Sequence, residues 1–399
     1  MPETPRHHRL LPLLIAGLAT IGPFAVDTYL PSFPSIAADL GASDVALQQT
    51  LTAYLIPFAF MMLFHGAISD AVGRRPVILT GIAGFVLASI GCALATSMTM
   101  LLVCRALQGL VAGAGTAISR AVIRDTYQGH EAQRQMSRVM LIFSIAPAIA
   151  PIIGGALQTW FGWRAVFWFL VLFSVTLFAA CARYLPETLP PQARQRFSPV
   201  PLFAAYKHVG FNSRFLLLAG ASALNFAGFF LYVLSAPAFI YKHLGLGAHD
   251  FAWLFMAGVI GMMAGAFLSG RLAGKVTPMR TVWLGYAIMA ASSLYNVIYY
   301  LWFTPQIPWS VLHQVAYAVG MALSMPSLTL MVLDLFPKNR GMAASLQAFI
   351  QSLIIGLVAG IASPIFAVSA PMLAVGAMGF LITGFLLWMI HITTMKTQN

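Results

Sequence analysis

Twelve apolar stretches, each long enough to cross a lipid bilayer, fill most of the 399 residues. They run over 10–32, 47–69, 76–96, 99–119, 138–159, 163–185, 214–240, 251–273, 279–302, 309–332, 342–364 and 371–392. A hydrocarbon core about 30 Å thick takes roughly 20 helical residues. Backbone groups inside it must bond to one another, so a crossing segment is a helix or part of a closed barrel. Barrel strands show short alternating segments; these runs are long and unbroken, which predicts helices. Charged residues make up only 8% of the chain, against roughly 25% in soluble domains. That is too little polar cover for a water-soluble globule of this size.

The cations set the orientation. With the N-terminus inside, nineteen of the 22 Lys and Arg residues fall in inner-face segments. Only Arg164 and Lys242 fall outside, and Arg105 lies within a span. This is the bias of cytoplasmic loops toward Lys and Arg. It places both termini in the cytoplasm and accounts for the net charge of +12 without nucleic acid. A basic inner face meets anionic lipid. Cys92, Cys104 and Cys181 sit in apolar runs without ligand spacing, so neither a disulfide nor a metal site is expected. The first run follows Arg6-His7-His8-Arg9, but further spans follow and no clean small-residue cleavage site is evident, so it reads as a retained span. The proline-rich connection after span six divides the chain into a bundle over 1–190, a cytoplasmic linker over 191–212 and a second bundle over 213–399.

Of the ten acidic residues only Asp27 lies within a span; the others fall in loops or at span ends. Intramembrane charges are costly and usually face a cavity, a partner or a pathway. Span one is expected to end near Pro31 to Pro34, which puts Asp27 roughly 6–10 Å below the outer face; Arg105 lies roughly 9 Å below it. The two share one layer, where they pair directly or through water or substrate. The balance between burial and the neighbouring cation then decides whether Asp27 carries a proton near neutral pH.

Between spans two and three the chain reads Gly66-Ala67-Ile68-Ser69-Asp70-Ala71-Val72-Gly73-Arg74-Arg75-Pro76. This fits G-x-x-x-D-x-x-G-R-[KR]: a tight turn at Gly73 in a loop at the membrane edge. Asp70 suits a helix N-terminus, which span eleven, beginning near Gly341, is placed to supply, so the segment reads as a conformational latch. Span four carries Leu101-Leu102-Val103-Cys104-Arg105-Ala106-Leu107-Gln108-Gly109, and span five Ala146-Pro147-Ala148-Ile149-Ala150-Pro151-Ile152-Ile153-Gly154-Gly155. Pro147 and Pro151, followed by Gly154 and Gly155, predict a bent or closely packed helix.

These three segments resemble motifs A, B and C of the major facilitator superfamily. Motif C is written G-x-x-x-G-P-x-x-G-G; alanines stand here at 146 and 150 where it has glycines. Asp27-Thr28-Tyr29-Leu30-Pro31 and Ile118-Ser119-Arg120-Ala121-Val122-Ile123-Arg124-Asp125 resemble the drug:proton antiporters of the Bcr/CflA group, which includes bicyclomycin and chloramphenicol exporters. The resemblance implies an all-α membrane protein of twelve helices in two pseudo-symmetric six-helix bundles. It implies proton-coupled drug export by alternating access in a bacterial inner membrane, with Asp27 and Arg105 coupling the proton. It implies a central cavity lined by Tyr29, Tyr54, Phe58, Gln108, Asn225, Phe229, Tyr232, Tyr317, Gln347 and Gln351. His65 and His313 are weaker relay candidates.

The expected partners are a drug-like small molecule, the proton and the lipid bilayer, with no nucleic acid and a functional monomer. No cofactor is expected, because the proton gradient supplies the energy. The alternatives are a proton-coupled importer of a small metabolite, which motif C disfavours, and an integral membrane enzyme, for which no HExxH pattern exists. No Walker A pattern points to ATP.

Overall fold

A computed structural model describes residues 6–195 and 197–396, with the side chains of Arg6–Arg9, Gly129, Gln133, Pro199, Pro201, Ala205, Met395 and Lys396 excepted. Arg196, counted above among the inner-face cations, lies outside the described residues. In chain order the helices are α1 (Arg6–Asp27), α2 (Phe33–Leu40), α3 (Asp44–Val72), α4 (Arg74–Ala93), α5 (Met98–Thr126), α6 (Gly129–Phe161), α7 (Arg164–Tyr184), α8 (Pro199–Gly210), α9 (Ser213–Leu234), α10 (Phe251–Leu272), α11 (Pro278–Trp302), α12 (Trp309–Asp334), α13 (Arg340–Leu357), α14 (Ser363–Phe366) and α15 (Ala370–Lys396). A 3₁₀ turn at Leu30–Ser32 joins α1 to α2, and a π turn at Val358–Ala362 joins α13 to α14. Each such pair makes one crossing, so the described residues hold twelve crossings in all.

Several helices begin where local chemistry offers a start. Ser43, Ser97, Asn212 and Thr277 each accept a backbone N–H from the first turn that follows them, satisfying donors that a helix otherwise leaves unpaired. Large apolar side chains such as Leu87, Leu172, Trp160 and Phe161 stay exposed. That surface suits hydrocarbon rather than water.

The chain divides into two compact units, Met1–Ser198 and Pro199–Asn399. In the first, α5 packs on α3, α4 and α1, α7 on α4, and α6 on α1. In the second, α12 packs on α10, α11 and α9, α15 on α9 and α11, and α13 on α9. The partners correspond crossing by crossing, so the halves repeat one packing scheme, as internal repeats of transporters do.

Three local expectations need correction. Span one does not end at Pro31 to Pro34. Both prolines occupy the second position of new helical segments, in the first turn, where the missing N–H costs nothing. The apolar crossing runs from Leu10 to Leu40, with Asp27 near its middle. The 66–76 segment is not a loop: α3 continues to Val72 and α4 starts at Arg74, with Gly73 alone between them. The stretch expected as a linker contains α8, which packs on α9 and α13 and belongs to the second unit.

Candidate functional site

The first unit buries one acid and one base in the same layer. Asp27 is the last residue of α1, where the helix gives way to the Leu30–Ser32 turn. It is 5% exposed, and its carboxylate makes no hydrogen bond or ion pair with any described residue. Arg105, on α5, is 0% exposed. Its Nη1 donates to the Ala25 carbonyl at 2.9 Å and to Gln108 Oε1 at 2.9 Å. The guanidinium lies over two rings, 4.9 Å from the Tyr29 centroid and 4.5 Å from that of Tyr54. Its Nε and Nη2 have no hydrogen-bond partner among the described residues. Asp27 and Arg105 therefore share a layer without pairing directly: the arginine holds the backbone two residues before the acid.

The surrounding shell fixes this cation. Tyr29 Oη shares a hydrogen bond of 2.9 Å with Thr50 Oγ1. Gln108 Nε2 donates to Ser89 Oγ at 2.8 Å, and Ser89 Oγ donates to the Phe85 carbonyl at 2.6 Å. Tyr54 stacks on Phe58, their centroids 6.0 Å apart. Tyr29 and Gln108, expected on a cavity wall, are both fully buried and touch Arg105. A buried guanidinium needs acceptors and polarisable faces around it, and these side chains supply them. Phe58 is half-buried.

Span five meets this site at the break in span one. Gly154 lies so close to the Thr28 backbone carbonyl that an added Cβ would overlap it. The obstacle is backbone and cannot swing aside. Gly154→Ala is therefore expected to lower stability by about 1–3 kcal/mol through overpacking. Gly66→Ala, at a position with nothing within 4 Å of the added carbon, should be neutral or stabilising, since alanine is the better helix former. Thermal unfolding of the two purified variants checks the contrast. Pro151, Gly155 and the alanines at 146 and 150 are buried beside Gly154, and Pro147 is half-buried.

The corner between α3 and α4 is a charge cluster. Gly73 has φ +116°, a backbone shape that favours glycine. Arg74 Nη1 contacts Asp70 Oδ1 at 2.6 Å, and its Nε contacts Asp125 Oδ2 on α5 at 3.1 Å. Glu187 accepts from the backbone N–H of Arg74 at 2.9 Å and of Arg75 at 3.3 Å, capping the N-terminus of α4. Arg75 Nη2 donates to the Ala182 carbonyl at 2.7 Å, and the Gln195 N–H to the Asp70 carbonyl at 3.0 Å. Asp70 thus serves the start of α4 within its own unit. Glu187→Ala removes the cap and should cost about 0.5–2 kcal/mol, seen as a lower melting temperature and faster proteolysis after α7.

The second unit holds a polar cluster of its own. Asn225 Nδ2 donates to Tyr286 Oη at 3.0 Å, and Tyr317 Oη donates to the Asn225 carbonyl at 3.1 Å. Asn296 Nδ2 donates to Tyr232 Oη at 2.8 Å, and Gln314 Nε2 to the Phe229 carbonyl at 3.2 Å. The Tyr232 ring lies 4.4 Å from that of His313, whose Nδ1 is 3.0 Å from the Ser310 carbonyl. Asn225 Oδ1 and His313 Nε2 are buried without a hydrogen-bond partner among the described residues. Gln347 Nε2 donates to Thr329 Oγ1 at 3.3 Å, and Gln351 is half-buried. His65 is buried against Gly113, its Nδ1 likewise without a partner among the described residues.

Family comparison decides what kind of molecule this is. The model of the Major Facilitator Superfamily matches residues 15–359 and 218–398. The chain belongs to the Major Facilitator Superfamily. It is a multi-pass membrane transporter, not an enzyme. Within the superfamily it is 30% identical over 375 residues to Multidrug resistance protein D of Escherichia coli, covering 93% of this chain and 91% of that protein. It is 29% identical to a bicyclomycin resistance protein homolog of Haemophilus influenzae, covering 72% of each. Among solved structures, a bacterial homolog of the human lysosomal transporter Spinster matches with a TM-score of 0.72 at 16% identity, covering 98% of each chain. That likeness concerns the fold.

Reading the sequence for motifs missed Ser89, Glu187, Tyr286 and Asn296. One signal was available: Ser292, Ser293 and Asn296 place three polar groups within little more than one helical turn of an apolar span.

Proposed function

We propose that this superfamily member exports small amphipathic, drug-like molecules in exchange for protons, by alternating access. The observation that carries the proposal is Asp27: a buried carboxylate with no hydrogen-bond or ion-pair partner among the described residues, in the middle of a crossing and at the point where its helix breaks. An ionised carboxylate in apolar surroundings is costly unless something pairs with it. A proton and a ligand are two ways to meet that cost, and they compete for one group. Arg105 fixes the backbone at Ala25 and leaves two guanidinium nitrogens without a hydrogen-bond partner among the described residues, so a ligand or water bound beside Asp27 finds donors in place. The names of the relatives in Escherichia coli and Haemophilus influenzae support drugs as the substrate class.

The Lys and Arg bias supports an inner-membrane location with both termini in the cytoplasm. The unit of function is a monomer, and the proton gradient replaces any cofactor. The test is drug susceptibility of an efflux-deficient bacterium carrying the wild-type chain or Asp27→Asn at equal membrane levels. Wild type should raise resistance to several apolar drugs and the variant to none. Equal resistance from both rejects the proposal.

A further inference from the structure

Helix α6 is longer than a bilayer needs. Its 33 residues span roughly 50 Å at 1.5 Å per residue, against a hydrocarbon core of about 30 Å. The apolar part runs from Leu141 to Phe161, so the turns from Gly129 to Met140 project beyond the core. His130, Arg134 and Arg138 follow one another there at four-residue intervals, all exposed. With Ser137 and Leu141 they line a shallow, open depression on the helix surface. These five residues occupy an arc of about 100° on the helix. The same face continues along the helix as Leu141, Ile145, Ile149 and Ile152, all exposed.

We infer that this face of α6 binds an anionic phospholipid, its headgroup phosphate against the arginines and one acyl chain along the isoleucine stripe. Charge complementarity selects the headgroup. Arg138 Nη1 spends one donor on Gln135 Oε1 at 3.3 Å, and Arg134 makes no ion pair or side-chain hydrogen bond with any described residue. The adjacent acid, Glu131, is bonded by Gln135 Nε2. The apolar continuation distinguishes a lipid from a free phosphate: a soluble anion has no use for four exposed aliphatic side chains in line with its site. Two arginines at an anionic interface are together worth roughly thirtyfold in affinity.

The test uses the full chain reconstituted with mixed phosphatidylethanolamine and phosphatidylglycerol, extracted into mild detergent, with retained lipid counted by mass spectrometry. Wild type should retain phosphatidylglycerol selectively. The pair Arg134→Gln and Arg138→Gln should lose that retention by roughly thirtyfold. The pair Lys275→Gln and Arg280→Gln, which removes two exposed cations elsewhere, should keep it. Replacing Arg134 and Arg138 by Lys keeps both charges and should preserve most of it. Unchanged retention in the Gln pair at 134 and 138 overturns the inference. So does displacement of the lipid by inorganic phosphate at equal concentration, which would make the site one for a soluble anion.

Discussion

Asp27→Asn is expected to leave the protein folded in the membrane and able to bind drug, while removing every dependence of that binding on protons. Asparagine matches the shape of the acid, and Asp27 has no hydrogen-bond or ion-pair partner among the described residues to lose, so stability should hold or rise. In the wild type, proton and ligand compete for one carboxylate. Linkage then requires each to weaken the other by the same factor, typically about 5–150-fold between linked sites. Drug affinity measured across the neutral pH range should change by that order in the wild type and stay flat in the variant. A wild-type affinity indifferent to pH would remove the physical basis for coupling at this residue.

Arg105→Lys carries the second large effect. The ammonium keeps the charge but not the planar fork. Arg105 uses that plane twice over, lying on the rings of Tyr29 and Tyr54 while Nη1 reaches the Ala25 carbonyl and Gln108. A cation–π contact is worth about 0.5–2 kcal/mol, and a hydrogen bond to a charged group about 1.5–3 kcal/mol. Lysine cannot satisfy both acceptors and both faces from one point charge. The variant is expected to lose roughly 2–4 kcal/mol of stability and nearly all transport. Arg105→Ala leaves the Ala25 carbonyl and Gln108 Oε1 buried and unpaired, at a cost of about 1–3 kcal/mol for each acceptor. Thermal unfolding in detergent, run beside a transport assay, separates the two losses. Full transport by Arg105→Lys would show that charge alone suffices.

The twelve crossings were legible because hydropathy over twenty residues is a strong and additive signal. Asp27 and Arg105 stood out for the same reason, as exceptions to it. What hydropathy does not encode is how a crossing is built inside. Pro31 and Pro34 read as terminators, yet proline also begins helices, and only packing decides which. Gly73 read as part of a loop because glycine and charge mark turns; α3 and α4 instead run up to it from both sides. Tyr29 and Gln108 look the same on paper whether they face a cavity or a neighbouring helix. Their burial around Arg105 follows from where α3 and α5 meet α1, which is a tertiary fact. Glu187 lies 113 residues along the chain from the N–H group of Arg74 that it caps, beyond the reach of any local pattern.

The most direct test of the central claim is transport in proteoliposomes across an imposed pH gradient, with a panel of apolar drugs, for wild type and Asp27→Asn side by side. The account predicts that the gradient drives drug accumulation against its own concentration in wild-type vesicles, and that Asp27→Asn vesicles only equilibrate it. Accumulation that ignores the gradient, or that persists in Asp27→Asn, would contradict it.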